Sequence, residues 1–173
     1  MSNEQASSES NWVDGIRSIL GSVPFTTSEF KDQRRVIVAA ADAYHVLELL
    51  KTRAGMDMLI DVTAIDWLER EGATDRFEVV YCLLNTESSE RLVVLTHLNE
   101  PDLKLKSVWS LWQAADWLER EVYDMYGIVF EGHPNFKRLL LPDEFASFPL
   151  RKDYPVQGRG ERHNFPVITR ADS

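Results

Sequence analysis

The sequence predicts an α+β fold: a two-layer sandwich with helices on one face of a mostly antiparallel sheet, followed by a long extended Pro-rich C-terminal tail. Three observations carry this. Up to Gly132 the apolar residues recur with either a helical or a strand period. Two β-rich runs, Arg76 to Leu84 and Arg91 to Leu98, flank the turn-like stretch Asn85 to Glu90, the pattern of an antiparallel hairpin. Beyond Gly132 the composition changes. Residues 1–132 hold 12 basic against 23 acidic side chains, a balance of −11, and residues 133–173 hold 7 against 5, a balance of +2. Five of the seven prolines lie in that second stretch, which marks it as a different kind of chain.

The elements follow in order. Residues 1–10 are polar and Ser/Glu-rich, so a disordered N-terminus is expected. Trp12, Val13, Ile16, Ile19 and Leu20 have the spacing of a short amphipathic helix over Asn11 to Leu20. Arg34 to Ala40 is β-branched and apolar, a strand. Asp42 suits an N-cap for a helix through Val46, Leu47, Leu49 and Leu50, and Gly55 suits its stop. Met58 to Ile65 reads as a strand with Leu59, Val62 and Ile65 as its main apolar positions, and the hairpin follows. Ser107 opens the clearest helix, with Val108, Leu111, Trp112, Ala115, Leu118 and Val122 at steps of three and four, and Gly127 closes it. The α+β domain is thus placed at 11–132.

Residues 133–173 show no sustained period, yet they carry Phe136, Leu139, Leu140, Leu141, Phe145, Phe148, Leu150, Tyr154, Phe165, Val167 and Ile168. Prolines keep such a chain extended and deny it ladder hydrogen bonds. Fully extended it would reach on the order of 130 Å. Apolar side chains on a backbone that forms neither sheet nor helix need a surface, part of it the chain's own domain and the rest another protein. The segment is therefore expected to dock a partner.

Composition excludes several function classes. With 173 residues, a net charge of −9 and 44% apolar residues, the chain can build one globular core but lacks the basic face of a phosphate-tracking nucleic-acid binder. Cys82 is the only cysteine, so no disulfide framework, iron–sulfur site or structural zinc site can come from its own thiolates. It is expected mid-strand, buried and inert. Val36 to Ala41 and Val79 to Leu84 are the longest apolar runs, far short of the roughly 20 residues of a membrane helix. The first residues resemble neither a signal nor a transit peptide, so a soluble, cytosolic protein, at most peripheral to a membrane, is expected.

The densest polar cluster is Glu119-Arg120-Glu121-Val122-Tyr123-Asp124. Glu119 and Glu121 lie about 200° apart on a helix and cannot face one substrate together. Arg120 sits four residues from both Asp116 and Asp124, so ion pairing along the helix or an interface clamp is the better reading. Glu121 is expected near the apolar side, seeking a basic partner. His45 and His97 read as structural, and His133-Pro134 after Gly132 as a turn whose imidazole anchors backbone. No His, Cys or carboxylate stands at a recognisable metal spacing around any of them. The strip Leu150-Arg151-Lys152-Asp153-Tyr154-Pro155 projects Arg and Lys to opposite sides and suits two acidic sites on a partner.

These residues carry a resemblance. Glu119-Arg120-Glu121-Val122-Tyr123-Asp124-Met125-Tyr126-Gly127-Ile128, then Phe130-Glu131-Gly132-His133-Pro134, then Arg138-Leu139-Leu140, then Pro149-Leu150-Arg151-Lys152-Asp153-Tyr154-Pro155 resembles the C-type (30 kDa-type) subunit of proton-translocating NADH:quinone oxidoreductase, respiratory complex I. One departure is Ala146-Ser147-Phe148, where the family usually has an acidic-Gly-His or Gly-Tyr step before the second proline. The resemblance implies a non-catalytic subunit of the peripheral arm, on the cytoplasmic side of a bacterial inner membrane. It implies no cofactor in this chain, in a complex that uses FMN, iron–sulfur clusters, NADH and quinone. The implied partners are the D-type (49 kDa-type) subunit and the neighbouring B- and I-type subunits of the peripheral arm. Glu121, Arg120, His133, Arg138, Arg151, Lys152 and Asp153 are expected to fix the tail and the neighbour. The alternatives are the equivalent subunit of a membrane-bound hydrogenase-type complex, or a free-standing acid/base enzyme using Glu119 or Glu121.

Overall fold

Alternation of large apolar with smaller or polar residues folds five segments into one sheet. The computed structural model describes residues 12–31 and 33–164. α1 (residues 12–20) precedes β1 (Thr26–Phe30), β2 (Gln33–Val38), α2 (Ala43–Ala54), β3 (Met58–Asp66), β4 (Phe77–Leu84) and β5 (Arg91–Leu98). Then come β6 (Lys104–Lys106), α3 (Ala115–Tyr126), β7 (Val129–Glu131) and a 3-10 turn, Glu161–Asn164. The sheet order is β1-β2-β5-β4-β3, antiparallel except where β2 runs parallel to β5. β6 and β7 make a separate parallel pair. Among the described residues, no helix is long and apolar enough to cross a membrane.

One face of the sheet meets the helices. Phe77, Val79, Tyr81 and Leu83 alternate inward along β4, and Leu92, Val94 and Leu98 lie beside them on β5. α2 sets Val46, Leu47 and Leu50 into the same core, each completely buried. Each such side chain contributes about 1.5–3 kcal/mol relative to exposure. α2 ends at Gly55, whose φ of 67° is left-handed and whose N–H reaches the Leu50 carbonyl. A Cβ there would lie 2.9 Å from the Asn85 side chain, which itself donates to the Ala54 carbonyl and so ties the helix end to the β4–β5 turn.

Several expectations are revised. α3 begins at Ala115, not at Ser107: residues 107–114 run as turns, with the Leu111 and Trp112 N–H groups both on the Val108 carbonyl. Ser107 donates its hydroxyl to the buried Glu119 carboxylate and accepts the Trp109 N–H on its oxygen, a capping-type bond, but the chain after it runs on as turns until Ala115. In β3 a bulge between Leu59 and Asp61 changes the phase, so Val62 and Ala64 point inward while Ile65 points out. Asp42 precedes α2 without a side-chain capping bond, although its carbonyl accepts from Val46. Cys82 is half-buried on the outward face rather than sealed in the core. β1, β6 and β7 escape a reading by periodicity because they are short and half or more of their residues are exposed or only partly buried. The expected disordered N-terminus, 1–10, and Phe165, Val167 and Ile168 of the tail lie outside the described residues.

Candidate functional site

α3 is amphipathic, and the groups expected to do the work lie along it. Its buried stripe is Ala115, Glu119, Val122 and Met125, so the carboxylate that enters the core is Glu119, while Glu121 is exposed. This reverses the expectation for Glu121; steps of four and three from Ala115 and to Val122 put Glu119 on the inward face. Glu119 accepts from the Ser107 hydroxyl at 2.6 Å and the Val108 N–H at 2.7 Å. Burial pushes its pKa up to about 7 against the pull of those two bonds, and nearby Asp116 adds to the rise.

The outer flank of α3 holds the following chain. Arg120 stands 3.9 Å from Asp116, as helical spacing allows, but not on Asp124; its Nε and Nη2 donate to the carbonyls of Lys137 and Arg138. The His133 side chain is completely buried. Its Nδ1 accepts from the Asn135 N–H, so Nε2 carries the proton and donates to the Asp116 carbonyl. The imidazole does anchor backbone. Pro134 is exposed, and Gly132 takes the left-handed turn out of β7 at φ 84°.

Asp124, fully buried, is the first clasp. Arg138 donates to it at 2.6 Å, and the successive N–H groups of Leu139, Leu140 and Leu141 all point at its other oxygen, at 3.0, 2.7 and 2.9 Å. Burial would raise its pKa, but these donors outweigh burial and hold it below the usual range.

A second clasp closes at the end of the sheet. Asp66, buried, accepts from the Lys152 N–H, the Leu68 N–H and Arg76, which together overcome its burial and lower its pKa. Arg76 also pairs with Glu100 at 2.9 Å and Asp153 at 3.0 Å, and Arg151 pairs with Glu100 at 2.8 Å. Arg151 Nε donates to the Tyr126 carbonyl, and the Leu150 N–H to the Met125 carbonyl, binding this strip to the end of α3. Gly127 makes the closure possible: with φ 79°, a Cβ there would lie 2.6 Å from the Phe148 ring and 2.8 Å from Arg151. Residues 133–164 therefore follow the body through successive turns. Pro149 and Tyr154 line a groove, the Pro155 carbonyl closes a turn on Gly158, and the Tyr154 hydroxyl donates to Glu161.

So Asp124, Arg138, Arg151 and Asp153 are brought together as bonds within the chain. The Lys152 ammonium has no ion-pair partner among the described residues, and Trp117, Leu140, Leu150 and Val156 stand exposed. Asp66, Arg76 and Glu100 were not singled out as site residues in the sequence, and Ser107 was read only as the start of a helix. The span of 86 residues between Asp66 and Lys152 gives no local signal. For Glu119, the periodicity of Ala115, Val122 and Met125 is a signal that could have found it.

A model of the family described as "Respiratory-chain NADH dehydrogenase, 30 Kd subunit" matches residues 36–160. The C subunit of NADH-quinone oxidoreductase from Citrifermentans bemidjiense is 42% identical over 131 residues, covering 76% of this chain and 80% of that one. The C/D 2 subunit of NADH-quinone oxidoreductase from Aquifex aeolicus is 43% identical over 113 residues, 65% of this chain but 18% of that longer one. A solved structure, the trypsin-resistant fragment (1-134) of Nqo5, is 29% identical with a TM-score of 0.58, covering 73% of this chain and 97% of the fragment. The matched span includes α3, both clasps and the strip from Pro149 to Pro155, and on that ground this chain belongs to the 30 kDa subunit family of respiratory-chain NADH dehydrogenase, which includes the C subunits of NADH-quinone oxidoreductase.

Proposed function

We propose that this chain is a non-catalytic scaffold of the peripheral arm, which seats the D-type (49 kDa-type) subunit along the seam of α3 and residues 133–164. In this reading the surrounding complex passes electrons from NADH through FMN and iron–sulfur clusters to quinone and couples this to proton translocation, on the cytoplasmic side of a bacterial membrane. B- and I-type subunits are further neighbours, and this chain holds none of the cofactors. The observation that carries the reading is the division of labour along the seam. Buried carboxylates bind the segment to its own body, while Trp117, Leu140 and Leu150 face solvent with 61%, 61% and 49% exposure. Large apolar side chains left outside a well-bonded frame suit a partner's surface. The joined C/D name of the Aquifex aeolicus relative supports a close fit between the two subunits. Glu119 is sealed from solvent and Glu121 points away from it, which disfavours an acid/base pair acting on one substrate.

The test is co-purification and proteolysis. The tagged protein should recover D-, B- and I-type subunits, and trypsin should cut the lone chain beyond about Gly132 yet spare that region in the assembled complex. The trypsin-resistant Nqo5 fragment supports the first half of that expectation. Recovery of a large subunit with nickel-ligating cysteine pairs would redirect the assignment to a hydrogenase-type complex, and resistance of the lone chain would count against docking.

A further inference from the structure

The sheet has a second face that the helices do not cover. Strand pairing lays its residues out in rows: Asp61, Cys82, Val93 and Arg35 cross β3, β4, β5 and β2 in one row, and Thr63, Val80, Leu95 and Ile37 in the next. None of these apolar residues belongs to the core shared with the helices. A sheet with one solvated face alternates apolar inward with polar outward. In the middle of β4 and β5 this fails: Val80, Cys82 and Val93 are turned outward and half-buried, and Leu95 beside them is buried although it is not part of the helix-side core. Polar Glu78, His97 and Arg91 stand only towards the strand ends. Strands apolar on both faces are the pattern of a sheet covered on both faces.

Charges of opposite sign flank the apolar pair Cys82 and Val93 in the first row, with Ser28 of β1 continuing the row beyond Arg35. Asp61 on β3 has no cationic partner, and Arg35 on β2 has no carboxylate partner, among the described residues; Arg35 lies over the Phe30 ring. We propose that this outward face is a second docking surface, taken by a neighbouring subunit of the same complex that presents apolar side chains between a cation facing Asp61 and a carboxylate facing Arg35. The inference rests on the scaffold reading and extends it: the chain then joins two neighbours, one along the seam and one across the open sheet. Opposite charges at either end of an apolar strip set register and orientation more than they add affinity.

Cys82, the chain's only cysteine, stands within the row and reports on it. Thiol labelling with a maleimide is measured on the full chain alone and on the chain inside complex isolated through a tag on another subunit. It is repeated with Thr63→Cys in a Cys82→Ser background, because Thr63 is exposed. Both thiols should react about tenfold or more slowly in the complex than in the lone chain, since access governs the rate. Asp61→Lys with Arg35→Glu should lower the recovery of this chain in the complex severalfold while its own unfolding transition stays in place. Equal labelling of Thr63→Cys in the lone chain and the complex overturns the inference and leaves the scaffold reading standing. A lone chain that is dimeric with both thiols protected assigns the face to a second copy and also overturns it. Failure to recover the chain with any quinone-reductase subunit sinks the scaffold reading itself, and this inference with it.

Discussion

Glu119→Gln should raise stability at neutral pH, an unusual outcome for a fully buried polar residue. In the folded chain Glu119 has two neutral donors, Ser107 and Val108, and no cation beside it among the described residues; its pKa rises from the ordinary 4.5 to about 7. The unfolded chain releases this proton near pH 4.5, the folded chain near 7. Between those values the folded state binds more protons, so its stability falls as pH rises and levels off above about 7. A rise from 4.5 to about 7 corresponds to about 3 kcal/mol. Glutamine is neutral throughout; its oxygen can accept the Val108 N–H and its amide can donate to the Ser107 oxygen. Urea unfolding of the full chain and the variant between pH 4.5 and 8 measures the difference, and titrations shared by both cancel. The variant should match the parent near pH 4.5 and lead it by up to about 3 kcal/mol at pH 8. A difference that stays flat across this range, or a parent that gains on the variant as pH rises, would refute the reasoning. The second result would mean that two hydrogen bonds suffice to hold a buried carboxylate ionised.

Asp124→Asn removes the charge that faces Arg138 and three backbone N–H groups; it should destabilise by about 3 kcal/mol and speed tryptic cutting after Lys137 and Arg138 in the lone chain. Asp66 and Asp124 both have lowered pKa values, so their stabilisation is complete above the ordinary value of 3.8 and is lost as pH falls through their folded values. Hydrogen exchange of Leu139 to Leu141 and of Lys152 should therefore accelerate below about pH 4, relative to the sheet, once intrinsic rates are corrected. Gly127→Ala meets about 1–3 kcal/mol of backbone strain besides the clash with Phe148, and should expose Arg151 to trypsin without melting the sheet. Arg151→Ala should reduce the amount of assembled complex while leaving the quinone affinity of whatever assembles unchanged; an altered affinity at normal assembly would bring this residue closer to the chemistry.

The hairpin and α2 were legible because their signals are local. Phe77 to Leu84 alternates over its full length, and α2 pairs a strict apolar stripe with a glycine stop. The start of α3 was not, because Val108, Leu111 and Trp112 keep helical spacing in a segment that folds as turns around the Glu119 carboxylate. Ile65 was misplaced by a single-residue bulge, since one extra residue inverts every later side chain of a strand. The motif residues were legible as a set, but not in their roles. Arg138, Arg151 and Asp153 were expected to fix the tail and the neighbour, and the structure supplies the particular bonds they make within the chain.

By itself the sequence determined the α+β class, the boundary of character near Gly132 and the family, since each depends on residue types at short, regular spacing. Only the tertiary structure decided which carboxylates are buried, which cations are already paired and which sheet face the helices leave uncovered. Those follow from contacts between Asp66 and Lys152, Asp124 and Arg138, or Arg35 and Val93, residues that meet through topology. Pairings of that kind leave no period along the chain, because the solvent exposure of a side chain is set by whatever distant segment folds over it.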